Sequence, residues 1–312
     1  MDTSRILVTG GTGFVGRRVV RDLYESGIPL RLLTRRAVTD PRVEVCNIPD
    51  MADDAALARA MVGVDVVCHL AGRAHVLGKA PADHEAQFES VNVDWTRRLA
   101  QAAFEAGVRR FVFVSSIGAV ATYSVPGEPL HEGSPCQPTT PYGRSKLKAE
   151  GELADIAQRH GAELVVVRPP LVYGQGAPGN MARLARWVNA GIPLPLSNIS
   201  NQRSLIHVDN LSAVLCACIT KPQAAGHVFH VRDAQDYSTP DLLRRVAQAL
   251  HRPARLFPAP QSLLRAVARA AGQGGSYEQL SGWLQVDDSQ ARKILGYQPA
   301  ILPFELLDAV SK

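Results

Sequence analysis

Ile6-Leu7-Val8-Thr9-Gly10-Gly11-Thr12-Gly13-Phe14-Val15-Gly16 decides how the rest of this chain reads. Ile6 to Val8 are apolar and β-prone, as a short strand buried on both faces must be. Gly10, Gly13 and Gly16 follow at three-residue spacing, and Val15 to Leu23 reads as a helix. Between a strand and a helix, such glycines have separate jobs. The first permits a tight turn, the second lets a pyrophosphate approach the backbone, and the third lets helix pack on strand. The helix N-terminus offers free N–H groups and a partial positive charge to phosphates. The stretch therefore predicts a dinucleotide-binding turn.

Working outward, Leu30 to Thr34 reads as a second strand ending in Arg35-Arg36. A carboxylate at this end binds a ribose 2′-hydroxyl, whereas arginine accommodates a 2′-phosphate, so NADP(H) is favoured over NAD(H). Val43 to Ile48 is a third strand, with Asn47 placed to hydrogen-bond adenine, and Asp53 to Met61 is helical. The fourth strand, Val64 to Gly72, ends in small residues suited to lie against a ribose, with Arg73 and His75 just beyond. Glu89 to Ala106 reads as one long helix containing Asn92 and stopped by Gly107. Phe111 to Ser116 is a fifth strand with serines at its carboxyl end, where open α/β sheets hold ligands. A helix opens at Pro141-Tyr142 and runs to Leu153, and Leu164 to Arg168 is a sixth strand broken by Pro169-Pro170. Strand–helix alternation from Ile6 to Arg168 predicts a doubly wound parallel α/β sheet. The expected division is a dinucleotide-binding domain over 1–170 plus about 204–232, with a smaller mixed α/β substrate lobe over about 171–203 and 233–312.

The 312 residues, 46% hydrophobic and 20% charged, are those of a soluble globular chain. The five cysteines lack C-x-x-C spacing, so we expect reduced thiols in a cytoplasmic protein and no metal site. The first strand begins too early for a signal peptide, and no apolar run approaches the ~20 residues that span a bilayer. A net charge of +5 is too small to imply nucleic acid. One basic stretch stands out. No acid falls between Asp241 and Glu278, while Arg244, Arg245, Arg252, Arg255, Arg265 and Arg269 do. It is either a solvated helical face or an attraction for a diphosphate or an anionic membrane.

Tyr142 and Lys146 are four apart on one predicted helix and so share a face. A neighbouring ammonium favours phenolate and is expected to bring the tyrosine nearer its working range. Ser116 can then hydrogen-bond a carbonyl oxygen that gains charge during hydride transfer.

The combination T-G-G-T-G-F-V-G, H-L-A-G, V-S-S-I and Y-G-R-S-K resembles the extended short-chain dehydrogenases/reductases, the sugar-nucleotide epimerases and dehydratases. Ser116, Tyr142 and Lys146 match that family's catalytic Ser/Thr, Tyr and Lys. R-P-P-L-V-Y-G, G-N-M-A-R-L, G-I-P-L-P-L and N-Q-R-S-L-I-H-V-D-N-L, from Arg168 to Leu211, are similar to bacterial reductases of UDP-2-acetamido-2,6-dideoxy-4-ketohexose. These make UDP-N-acetylquinovosamine or UDP-N-acetylfucosamine for O-antigen. The resemblance implies a UDP-sugar substrate and a homodimer. Residues and resemblance together place the cofactor on Gly10, Gly13, Phe14, Val15, Arg35, Arg36, Asn47, Ile48, Leu70, Ala71, Gly72, Asn92, Tyr142, Lys146 and Pro169. The substrate falls on Arg73, His75, Ser116, Tyr142, Asn180 and Arg203. Ile117-Gly118 stand where dehydratases of the superfamily carry Asp-Glu, which argues against dehydration. A UDP-hexose 4-epimerase holding NAD is the alternative, and a non-catalytic NADP-binding regulator a third. The stereochemistry of the product is not legible in the sequence.

Overall fold

In the computed structural model, which describes residues 4–50, 52–74, 81–300 and 304, short strands rich in Val, Leu and Ile assemble into one seven-stranded parallel sheet. Its strands are β1 (Ile6–Thr9), β2 (Leu30–Thr34), β3 (Glu44–Asn47), β4 (Val66–His69), β5 (Arg110–Val114), β6 (Glu163–Arg168) and β9 (Val228–His230), in the order β3-β2-β1-β4-β5-β6-β9. All six pairings are parallel. Because side chains alternate along a strand, Ile6 and Val8 enter one core and Leu7 the other. The first core packs under α1 (Phe14–Glu25) and α7 (Val208–Thr220); the second packs under α2 (Asp54–Met61), α4 (Trp95–Glu105) and α5 (Pro141–His160). This is the doubly wound α/β architecture expected from the alternation.

A three-stranded sheet, β10-β8-β7, builds a second layer from β7 (Leu171–Tyr173), β8 (Arg203–His207) and β10 (Asp236–Tyr237). It packs with α6 (Asn180–Asn189) and α8 (Thr239–Ala249) around Tyr173, Met181, Leu184, Leu243 and Val246. Residues 204–207 pair with β7 and β10, while Ile206 among them packs into the first core under the large sheet. Helix α11 (Ser289–Leu295) and Tyr297, expected in the lobe, join the core under the large sheet. The apolar contacts of Ala291, Leu295 and Tyr297 decide this, and chain order does not reveal them.

The helix expected from Glu89 is longer and interrupted. It begins with α3 (Pro81–Phe88), passes through a π-helical turn at Glu89–Asp94 and continues as α4. The wide turn coincides with Asn92, whose buried amide is fully engaged. It accepts from Arg73 N–H at 2.8 Å and donates to Arg73 O and Ser145 Oγ, both at 3.0 Å. The remaining helices, α9 (Gln261–Ala270) and α10 (Gly274–Ser281), form a hairpin on the lobe.

Candidate active site

Helix α5 carries two of the three expected catalytic side chains. Thr140 caps it by accepting from Gly143 N–H at 3.0 Å, and Pro141 occupies the first turn, so Tyr142 starts helical. Gly143 is required by packing. A Cβ there would lie 2.2 Å from the carbonyl oxygen of Gly118, in the 3₁₀ turn Ile117–Ala119. That contact presses the helix start onto the turn that follows Ser116. Ser116 Oγ accepts from Gly118 N–H at 3.1 Å, and its hydroxyl acts on the Tyr142 phenol to lower the phenol's pKa.

The electrostatics differ from the expectation. Burial pushes the Tyr142 phenol up to about 12, opposed only by the bond to Ser116. Lys146 does not depress it. The Lys146 ammonium instead donates to Val114 O at 2.8 Å and sits 4.3 Å from the centre of the Phe113 ring. Burial lowers Lys146 to about 8, with Glu150 pulling the other way.

A buried network backs these residues. Arg168 and Glu150 form a two-pronged ion pair, Nε to Oε1 at 3.0 Å and Nη2 to Oε2 at 2.5 Å. Ser115 donates to the same carboxylate. Glu150 lies one turn beyond Lys146, so the pair locks β5, β6 and α5 together behind the site.

The glycine turn meets the requirements of a dinucleotide cradle. Gly10 has φ +70°, and a Cβ on it would lie 2.6 Å from Ala71 N, so the chain leaving β4 approaches too closely for any side chain. A Cβ at Gly16 would lie 2.1 Å from Gly10 O, which is the helix-on-strand contact anticipated from the spacing. Gly13 is the N-cap of α1 and provides no side-chain cap, leaving first-turn N–H groups for an anion. These residues fit a nicotinamide dinucleotide.

Arg35 and Arg36 stand exposed at the carboxyl end of β2. Asn47 is exposed beside them, its Nδ2 donating to Thr34 O at 3.3 Å. Ile48 puts its side chain into the core, so only its backbone is available to a ligand. Asn92 has spent its amide on the chain after β4, which makes it a residue that positions the Gly72–Arg73 loop.

One cleft of about 550 Å³ joins the two halves. Of the residues singled out from the sequence, Gly10, Gly13, Phe14, Val15, Leu70, Gly72, Arg73, Ser116, Tyr142, Lys146, Pro169, Asn180 and Arg203 line it. Arg35, Arg36, Asn47, Ile48, Ala71 and Asn92 do not, and His75 lies outside the described residues. The Arg73 guanidinium donates to Gln87. Arg203, which lines the cleft, is partly buried and donates from Nη1 to Gly282 O at 2.9 Å. Burial lowers it, and it has no carboxylate partner among the described residues. Arg183 lines the same cleft, 5.3 Å from the centre of the Trp187 ring, with its Nε buried and unpartnered among the described residues. Two guanidiniums without carboxylate partners among the described residues thus line one cleft, the side-chain type that suits phosphate oxygens.

A family model described as the NAD dependent epimerase/dehydratase family matches residues 6–231. The chain belongs to this family. It is 36% identical over 296 residues to a UDP-glucose 4-epimerase of Vibrio cholerae, covering 94% of this chain and 90% of that one. It is 27% identical over 263 residues to the N-acetyl-alpha-D-glucosaminyl-diphospho-ditrans,octacis-undecaprenol 4-epimerase of Escherichia coli O157:H7, covering 83% and 77%. The fold superposes on the crystal structure of Thermus thermophilus UDP-glucose 4-epimerase in complex with NAD with a TM-score of 0.77, at 23% identity and covering 96% and 94%.

Within this epimerase/dehydratase fold, the sequence reading missed residues brought in from the lobe. Arg183 is one turn along α6 from Asn180, so its cleft-facing position was available from helical spacing within G-N-M-A-R-L. Thr239, Leu242 and Leu280, which also line the cleft, carry no comparable signal, because α8 and α10 reach it only through tertiary packing.

Proposed function

We propose that this enzyme performs hydride chemistry at carbon 4 of a UDP-linked N-acetylated 6-deoxyhexose, as an NADPH-dependent reduction of the 4-ketone. The observation that carries the reading is one shared cleft lined by Ser116, Tyr142 and Lys146 together with Asn180, Arg183 and Arg203. The arginines would bind the diphosphate and Tyr142 would act on the hexose in the same cleft. The glycine turn, Leu70, Gly72, Lys146 and Pro169 would hold the dinucleotide; when bound, its nicotinamide supplies the hydride.

The chain's own residues do the rest. Tyr142 O–H donates its proton to the carbon-4 oxygen, and a phenol held near 12 keeps that proton until charge develops on the substrate. Ser116 Oγ donates a second hydrogen bond to the same oxygen. Lys146, lowered to about 8, keeps its positive charge at neutral pH and would hold the nicotinamide ribose. Ile117 and Gly118, at the start of the neighbouring turn, have no acid or base with which to eliminate water. Arg35 and Arg36 support NADPH, since their exposed guanidiniums stand where a 2′-phosphate would reach. An O-antigen role and a homodimer belong to the same reading.

A specific observation favours a second reading, 4-epimerisation with retained NAD: the relative at 36% identity is a UDP-glucose 4-epimerase. One experiment separates them. The purified protein is incubated with NADPH and the UDP-4-keto-6-deoxy-N-acetylhexosamine, absorbance is followed at 340 nm and the product is assigned by NMR. Reduction to a single 4-hydroxy epimer supports the first reading. Absence of oxidation of NADPH or NADH, with UDP-glucose and UDP-galactose interconverting on endogenous NAD, replaces it with the second.

A further inference from the structure

The basic stretch noted in the sequence folds into a surface that the cleft chemistry does not use. Helix α9 buries none of its ten residues. At 100° per residue, Leu264 and Ala268 turn toward α10, and Leu263 and Val267 lie on the adjoining face. These last two are 57% and 59% exposed, and Phe257 just before the helix is 45% exposed. Arg265 and Arg269 fall on the opposite flank of the same helix.

The surroundings are uniformly positive. Arg244, Arg245, Arg252, Arg255, Arg265 and Arg269 are all exposed, and no acid occurs from 242 to 277. Among the described residues, only the bordering acids Asp241 and Glu278 pair with any of the six, through Arg244 at 2.8 Å and Arg269 at 3.7 Å. An exposed apolar face with largely unneutralised arginines on the opposite flank has the character of an interfacial helix, whose hydrophobic side chains enter the bilayer while its polar face is cationic. A second copy is a poor occupant. A two-fold pairing would set this arginine field against itself without acids to offset it.

We propose that the α9 face, with Phe257 beside it, docks peripherally on an anionic lipid bilayer. The packing of α9 on α10 gives this a consequence for the site, because Leu280 of α10 lines the cleft. Docking would hold the cleft close to the bilayer surface.

Co-sedimentation of the full chain with phosphatidylglycerol/phosphatidylcholine vesicles, against phosphatidylcholine alone, tests this. Binding is expected only with the anionic vesicles and should weaken steeply with added salt. Arg265→Gln with Arg269→Gln should weaken it by about 25-fold, at about fivefold per arginine. Leu263→Asp with Val267→Asp should abolish it while thermal unfolding and affinity for UDP stay unchanged. No binding to anionic vesicles overturns the proposal, as does binding that survives both double variants. A dimer in sedimentation equilibrium that Leu263→Asp/Val267→Asp dissociates also overturns it, by assigning the face to a second copy.

Discussion

Replacing Arg203 by Met separates what this residue does for a ligand from what it does for the fold. In the protein the guanidinium makes one hydrogen bond, Nη1 to Gly282 O at 2.9 Å, and no ion pair among the described residues. Losing that bond costs about 1 kcal/mol, and losing a desolvated, uncompensated charge returns a comparable amount. Stability should therefore change by less than about 1 kcal/mol, and Tm by less than about 4 °C. A bound diphosphate is different. Two charge-assisted N–H···O⁻ bonds contribute together about 3 kcal/mol net or more, so affinity for UDP should fall by roughly 150-fold or more. Calorimetric titration with UDP gives the second quantity and differential scanning calorimetry the first, with nicotinamide cofactor affinity as the control. UDP affinity within about threefold of wild type would refute the anion-site reasoning. A fall in Tm of about 10 °C would show instead that Arg203 is structural.

Tyr142→Phe should lower turnover by about 10²- to 10⁴-fold while leaving cofactor affinity intact, as measured by fluorescence titration; undiminished turnover would remove Tyr142 from proton transfer. Gly143→Ala meets the Gly118 carbonyl at 2.2 Å and should lower both stability and kcat by moving Tyr142 away from Ser116. Paired urea titrations and steady-state rates check this, and a variant with wild-type kcat contradicts it. Lys146→Met tests the lowered amine through the pH dependence of stability. With its folded value near 8 and its ordinary value near 10.5, the unfolded chain holds more protons between those limits. Wild-type stability therefore gains on the order of 3 kcal/mol, relative to the variant, as pH rises through that window. A wild-type-minus-variant difference that is flat with pH would contradict the assignment.

Several features were legible because their cause is local. The strand–glycine–helix opening depends on the missing Cβ atoms of Gly10 and Gly16, and those absences are visible in the sequence. The shared face of Tyr142 and Lys146 follows from helical spacing alone. The π-helical turn around Asn92 was not legible, because it arises from an amide satisfied by Arg73 and Ser145, 19 and 53 residues away.

By itself, then, the sequence determined the doubly wound sheet, the dinucleotide turn and the serine–tyrosine–lysine spacing, since each rests on residue type and short-range periodicity. Tertiary structure decided the rest. It brought Arg183 and Arg203 into one cleft and moved β8 into the small sheet. It also set the chemistry of Tyr142. Proximity in the sequence suggested a phenol lowered by Lys146, but in the fold the ammonium turns to Val114 O and burial raises the phenol instead. Charge state depends on solvent access and on which atoms meet across long stretches of chain, and no window of sequence contains that information.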